Sequence, residues 1–398
     1  ILDKIRFIYY YKTIYSIKEI QTFLKTNNLW GKINYSYNQG SGSTFNTPFW
    51  DEYRENIKKE VIKLKSPVEV IEGPSDAPQD TTPGAFLNFS GTNYWKSEQL
   101  KTISQMFAAG KIKDGDYFLY TDAWNPTILQ LKYMAELLGI KIMIGGMWHA
   151  GSYDPADFLG RLIGNAPWVR HTEKALFYAI DHNYFATDFH IDLFSLNLLG
   201  IDPETVRHRY GQEGKIVRCG WPMEYLEHMM YGYKNKNKRN LILFPHRVAP
   251  EKQLDIFKDL AKHLPQYDFV VCQERNLTKQ EYHDLLGEAK MVFSANLQET
   301  LGISWYEGAA GGAIPLVPDR LSYSEMALDT FKYPSEWTES WDSYQDHKED
   351  LKARIREHME NFNARHDFIR SNAEHLTLEF FSATKIIETI SGKSLRED

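Results

Sequence analysis

Two charged pairs stand out by type and spacing: Arg247 and Lys252, five residues apart in "HRVAPEKQ", and Glu299 and Glu307, eight apart in "ETLGISWYEGAAGG". Two cations on the loop and first turn after a strand can neutralise a diphosphate, whose charge is grouped on neighbouring oxygens. Between the glutamates, Leu301, Gly302 and Ile303 begin a helix, and the free N–H groups of a helix start favour an anion. Glu307 then lies about 12 Å along that helix from Glu299, at 1.5 Å per residue. A carboxylate there repels phosphate and suits a partner that donates hydrogen bonds, such as the vicinal diol of a ribose or a sugar ring. Taken singly, each pair also reads as ordinary surface charge.

A second group of candidates lies earlier in the chain. His149 ends a strand in "GGMWHAGSYD", with Asp154 five residues on, and Asp122 and Trp124 end another in "TDAW". These belong at the mouth of a cleft, where an acceptor hydroxyl would be oriented or deprotonated. The flexible turn at Gly40, Ser41 and Gly42 is a further candidate on that side. Asp114 and Asp116 in "KDGDYF" have a metal-holding spacing, but they flank a glycine before a strand, where aspartate is expected for turn reasons alone. No metal is expected.

The elements that must carry these residues follow a regular rhythm. From residue 94 to 220, and again from 241 to 318, short apolar strands alternate with amphipathic helices, the pattern of β-α-β units and parallel sheets. The polar, basic stretch "EHMMYGYKNKNKRN" at 227–240 reads as the linker between two doubly wound domains. The expected division is an N-terminal helical extension over 1–30, with residues 4–28 helical, then a Rossmann-like acceptor domain over 31–226. A second Rossmann-like domain follows over 241–375, and a helix over 376–398 packs back on the body. Two such sheets face each other across a cleft at their strand carboxyl ends, where ligands of α/β proteins bind.

Composition narrows the class. The chain has 398 residues, 42% hydrophobic and 25% charged, with a net charge of −7. That length suits two cores rather than one. The acidic balance argues against a globally basic nucleic-acid binder, though not against a local basic face at Lys58, Lys59, Lys63 and Lys65 or at Lys234, Lys236, Lys238 and Arg239. Two distant cysteines, Cys219 and Cys272, give no disulfide framework and point to the reducing cytoplasm. No run approaches the ~20 apolar residues of a membrane span, and the charges at Asp3, Lys4 and Arg6 do not fit a signal peptide.

"FPHRVAPEKQLDIFKDLAKHL" together with "ETLGISWYEGAAGGAIPLVPDRLSYSEM" resembles the retaining glycosyltransferases of the GT-B fold, in particular the GT4 family with its Arg-x4-Lys and Glu-x7-Glu signatures. "TDFHIDLFSLNLLGIDPETVRHRYGQEGKIVRCGWPMEYL" resembles the end of the family's first domain, so about 200 residues are covered. The resemblance implies that Arg247 and Lys252 hold the diphosphate of a nucleotide-sugar, a UDP-sugar. It implies that Glu307 binds the ribose, Glu299 the transferred sugar, and the Leu301, Gly302 and Ile303 backbone caps phosphate or sugar. His149 would stand near the sugar and acceptor. The leaving phosphate would help deprotonate the acceptor, which needs no protein nucleophile and no metal. The chain departs from the family at His246 and Gln253, where glycines usually flank the Arg and Lys, and at "VCQERN", which replaces a Gly-rich turn at the base pocket.

The blocks "FLYTDAWNPTILQLKYMAELLGI", "MWHAGSYDPADFLGR" and "PHRVAPEKQ" are similar to glycosyltransferases of T4-like bacteriophages. That resemblance implies a hydroxymethylated pyrimidine in DNA as acceptor, in the host cytoplasm. A glycan, lipid-linked sugar or surface polysaccharide is the alternative acceptor, and a non-catalytic nucleic-acid-binding or scaffold protein on the same frame is the reading from another class.

Overall fold

The strands of this chain are short runs of mostly apolar residues, as expected where helices cover both faces of a sheet. A computed structural model describes residues 4–8, 68–71, 73–78, 88–223 and 225–392. Strands β1 (Lys4–Ile8), β2 (Val68–Ile71), β3 (Asp116–Tyr120), β4 (Met143–Trp148), β5 (His182–Phe185) and β6 (Ile216–Arg218) form one parallel sheet in the order β2-β1-β3-β4-β5-β6. Strands β7 (Arg239–Phe244), β8 (Asp268–Val271), β9 (Ala289–Phe293), β10 (Ile314–Pro318) and β11 (Lys332–Tyr333) form a second, in the order β11-β10-β9-β7-β8.

The second sheet shows how such strands make two cores. Along β7, Leu241 and Leu243 join the apolar cluster on one face, with Val292, Trp305 and Tyr306. Ile242 and Phe244 join the cluster on the other, with Phe257, Met291 and Tyr344. Successive side chains of a strand point to opposite faces, so a sheet sandwiched between helix layers needs apolar residues at both parities. In this sheet the chain goes from β7 outward to β8, then returns to place β9 on the other side of β7. The loops after β7 and β9 therefore flank the point where strand order reverses, the crevice in which doubly wound sheets bind ligands.

Three expectations are corrected. Lys4–Ile8, expected to begin a helix, is a strand paired with both β2 and β3. "KIRFI" is short, and a short apolar run does not distinguish strand from buried helix by period alone. The remainder of the expected extension, 9–30, lies outside the described residues, as do Gly40, Ser41, Gly42 and Lys58, Lys59, Lys63 and Lys65. The expected linker 227–240 is largely the helix Tyr225–Lys234, whose Leu226 and Met230 are buried in the second domain. The expected boundary at 375 falls within the helix His366–Phe380, whose Leu376 and Phe380 belong to that same core.

After this helix the chain returns to the first domain. The helix Thr384–Ser391 buries Ile386 among Tyr117, Leu119, Met147, Tyr184 and Val217. Just before it, the carbonyls of Phe380 and Phe381 accept hydrogen bonds from Trp221 N (2.8 Å) and Met223 N (3.1 Å) on the irregular crossover between domains. Gly220 makes that approach possible. Its φ is +68°, and a Cβ there would stand 2.5 Å from the Phe380 carbonyl oxygen. Among the described residues no helix is long and apolar enough to cross a membrane.

Candidate active site between the two domains

Lys252 and Glu299 meet where β7 and β9 end. The Lys252 ammonium donates to the Gln298 carbonyl at 2.6 Å and lies 3.2 Å from Glu299 Oε2. Burial, the largest single influence, works to raise the Glu299 carboxyl, but the adjacent Lys252 cation, its hydrogen bond and the Leu301 N–H together outweigh it and hold the group below the usual glutamate range. Its other oxygen accepts from Thr300 N at 3.2 Å and Leu301 N at 3.4 Å. Of the three backbone positions expected to face an anion, Leu301 is thus engaged by Glu299 itself. Gly302 precedes the helix Ile303–Ala310 with φ +91°, a turn open to glycine, and a Cβ there would stand 3.5 Å from Glu299 Cγ.

Glu307 is buried on that helix, and its Oε2 accepts from Tyr282 OH at 2.8 Å. Tyr282 belongs to the helix Lys279–Glu288 and was not evident in the sequence. Arg247 donates to Glu251 Oε1 at 2.5 Å. Glu251 is itself buried, 6% exposed, and its Oε2 is 3.3 Å from Arg161 Nη1 of the first domain. Sequence reading missed both residues, since Arg161 and Glu251 are 90 positions apart.

His246 and Gln253, which stand where glycines would flank the cations in the resemblance, have local reasons. Gln253 adopts φ +52°, the left-handed conformation that glycine ordinarily supplies. Its amide compensates by donating to the Ala295 carbonyl at 2.5 Å and the Thr338 carbonyl at 2.6 Å. Gln253→Gly should therefore be less destabilising than Gln253→Ala by about 1 kcal/mol, since both lose these bonds and only alanine keeps the backbone strain. Urea denaturation of both variants checks this, and equal midpoints would count against it. His246 is buried, and burial together with the Lys252 cation lowers its pKa to about 3. It is therefore neutral, with Nδ1 3.3 Å from Ser304 Oγ.

On the facing domain, His149 Nε2 lies 2.5 Å from the Thr121 carbonyl, so this nitrogen carries the proton. Desolvation lowers the His149 pKa to about 4 and leaves a neutral ring, packed 3.7 Å from the Trp221 ring. Thr300 Oγ1 donates to the His149 carbonyl at 2.8 Å, and Thr187 Oγ1 donates to the Thr300 carbonyl at 2.9 Å. His149 is thus brought within a few residues of Glu299. Gln298 Nε2 reaches Asp154 Oδ2 at 3.3 Å, which joins a second pair of loops across the cleft.

The acceptor-side carboxylates are more engaged than expected. Asp154 Oδ1 accepts from Ala156 N at 2.9 Å, so both of its oxygens have partners. Asp122 accepts from Trp124 N at 3.0 Å and Lys96 Nζ at 3.3 Å. Trp124 Nε1 donates to Glu173 at 2.9 Å, and Glu173 also accepts from Ser152 N and Ser152 Oγ at 2.6 and 2.7 Å. A ring-and-carboxylate brace therefore fixes the loop that carries His149 and Asp154, and Asp122 and Trp124 serve that brace. Asp157 caps the helix Phe158–Ile163 through Leu159 N at 2.9 Å, and burial raises its pKa to about 6.

Two other sequence features resolve plainly. Asp116 Oδ2 accepts from Lys113 N at 3.0 Å within the turn, and Asp114 Oδ1 accepts from Lys141 N at 2.7 Å in the segment before β4. The basic stretch 234–239 is held by the second domain. Lys236 lies against Asp284 and 4.0 Å from Glu288, Arg239 is 3.1 Å from Glu288, and Lys238 donates to the Gly311 carbonyl at 2.6 Å.

No protein-family model and no curated protein sequence matches the chain. Among solved structures it is similar to the catalytic domain of starch synthase IV from Arabidopsis thaliana bound to ADP and acarbose, at 10% identity and TM-score 0.54 over 98% of this chain and 99% of that one. It is similar to sucrose-phosphate synthase from Thermosynechococcus elongatus, at 11% identity and TM-score 0.52 over 98% and 96%. It is also similar to HepE of Anabaena in complex with UDP, at 12% identity and TM-score 0.50 over 98% and 98%. With its two parallel sheets facing each other, the chain has the GT-B fold.

Proposed function

We propose that this chain is a glycosyltransferase that moves a sugar from a nucleotide-sugar, a UDP-sugar, to an acceptor hydroxyl with retention of configuration. The observation that carries this reading is the Lys252–Glu299 pair, 3.2 Å apart at the strand-order reversal, with the helix Ile303–Ala310 starting just after it and Arg247 on the same loop as Lys252, held by Glu251. Cations and a helix start suit a diphosphate, and a carboxylate a few ångströms away suits the hydroxyls of the sugar attached to it. As the bond from the sugar to the diphosphate breaks, Arg247, Lys252 and the helix start stabilise the charge that develops on the leaving phosphate. That phosphate accepts the proton of an acceptor hydroxyl attacking the same face. Glu307, oriented by Tyr282, binds the ribose. His149, neutral and with its Nε2 proton given to Thr121, serves the sugar through shape and its own backbone rather than as an acid. The similar structures in complex with UDP and ADP support a nucleoside diphosphate as the bound part of the donor.

For the acceptor, the phage resemblance favours a hydroxymethylated pyrimidine in DNA. The pairing of Lys236, Lys238 and Arg239 within the second domain leaves the duplex phosphates to be met by residues such as Lys58, Lys59, Lys63 and Lys65. Thermal melting with UDP, ADP and GDP, followed by donor hydrolysis, tests the donor half. The expected result is stabilisation by UDP and release of sugar from a UDP-sugar, and a flat response to all three nucleotides would sink the reading. Incubation with DNA containing 5-hydroxymethylcytosine or 5-hydroxymethyluracil, then mass spectrometry of the nucleosides, tests the acceptor half. A mass gain of one sugar is expected, and transfer to glycans alone would overturn the DNA acceptor.

A further inference from the structure

The charges around the donor site do not favour a diphosphate without help from the facing domain. Arg247 and Lys252 supply two positive charges. Each is matched by a carboxylate, Arg247 by the buried Glu251 at 2.5 Å and Lys252 by the half-buried Glu299 at 3.2 Å. His246 is neutral, and Asp157, close enough to Arg247 for that cation to favour its ionised form, adds negative charge as it titrates. Among the described residues the two cations and two carboxylates of the second domain therefore balance, and Asp157 of the first domain adds to the negative side. An anion gains little from cations already neutralised one to one.

The missing charge comes from Arg161, on the helix Phe158–Ile163 of the first domain. Its Nη1 lies 3.3 Å from Glu251 Oε2, the oxygen that Arg247 does not use, and it also donates to the Ala156 carbonyl. Glu251 is held in place for this contact, because its carbonyl accepts from Leu297 N at 2.8 Å. The next residue, Gln298, bonds Asp154 in the loop that leads to Arg161. The same closure that brings these loops together thus delivers the guanidinium.

We propose that Arg161 is a donor-site residue supplied by the opposite domain: by sharing Glu251 with Arg247 it offsets a negative charge that would otherwise oppose binding of the diphosphate. The inference rests on the glycosyltransferase reading and adds to it that donor affinity depends on domain closure. Arg161 acts through Glu251, so it is a positioning residue, and its signature is charge compensation.

The experiment is a calorimetric titration of UDP into four proteins at low salt: wild type, Arg161→Gln, Arg161→Lys, and Arg161→Gln combined with Glu251→Gln. The unliganded melting temperature of each reports the fold, and the Arg161 side chain is 42% exposed, so the single variants should melt close to wild type. Loss of one nearby positive charge is expected to weaken UDP binding about tenfold or more, and Arg161→Lys to stay within about threefold of wild type. The double variant is expected to recover most of the loss, because removing the Glu251 charge makes the Arg161 charge unnecessary. Unchanged binding by Arg161→Gln overturns the inference, and so does a double variant as weak as or weaker than the single one. A wild-type protein that binds neither UDP nor ADP overturns the functional reading itself, and this inference with it.

Discussion

Glu299→Ala is expected to lower kcat/KM for sugar transfer by on the order of 10²- to 10³-fold while leaving UDP affinity no weaker than that of wild type. The split follows from where the carboxylate stands. Glu299 shares Lys252 and covers the N–H groups of Thr300 and Leu301, so its removal takes away no cation and no phosphate-facing donor. What is lost is the group placed to accept hydrogen bonds from the transferred sugar, and with it the alignment of the bond that breaks. Lys252 keeps its 2.6 Å bond to the Gln298 carbonyl, so the ammonium is not left without a partner. Steady-state kinetics beside calorimetric UDP binding reads the two effects separately. If UDP affinity falls in parallel with turnover, Glu299 is bracing the phosphate site and not holding the sugar.

Arg320→Ala is expected to destabilise the protein by about 3 kcal/mol or more, seen as a lower urea midpoint at unchanged slope. The guanidinium donates to the carbonyls of Asn296 (2.7 Å), Ser335 (2.9 Å), Ala295 (2.8 Å) and Thr338 (3.2 Å), and to Thr338 Oγ1 at 3.0 Å. These carbonyls come from two segments that no strand pairs; with alanine those of Ala295 and Thr338 keep only the Gln253 amide, and those of Asn296 and Ser335 lose their side-chain donor. Arg320→Lys should recover only part of the loss, because an ammonium lacks the flat fork that reaches acceptors on both sides at once. A loss below about 1 kcal/mol for alanine would mean that water replaces the guanidinium without cost. Ala295 and Thr338 also receive the Gln253 amide, so this one knot holds both the start of the Glu299 loop and the left-handed turn after Lys252.

The parts of this arrangement legible in the sequence were those set by local period and spacing. The alternation of strands and helices from residue 94 located β3 to β10 to within a few residues, because each element carries its own apolar pattern. Arg247, Lys252, Glu299 and Glu307 were picked out by residue type and by their spacing to one another, and the fold brings Lys252 to 3.2 Å from Glu299. The residues missed all act through long-range partners. Glu251 looks like a surface glutamate until Arg161, 90 residues away, is brought against it. The 234–239 cations look free until Asp284 and Glu288 arrive from another helix. Lys4–Ile8 failed for a different reason: five residues give too few periods to tell strand from helix, and the decision lies with β2 and β3, far along the chain.

The polypeptide crosses between the domains twice, once at Trp221–Met223 and once after Phe381, and the two crossings are tied by paired backbone bonds. A body joined to another by a single tether can swing and twist in any direction. Two adjacent tethers fastened side by side act as the pin of a door, and the softest motion left is rotation about the line through them. Glu325 of the second domain accepts from Asp188 N at 3.1 Å and Phe189 N at 2.7 Å at the start of a first-domain helix, and Arg218, 4.0 Å from Asp188, donates to the Glu379 carbonyl at 3.0 Å, so these contacts fasten the domains beside the crossings. With the axis given by the covalent chain, each closing stroke returns the two walls of the cleft to the same register.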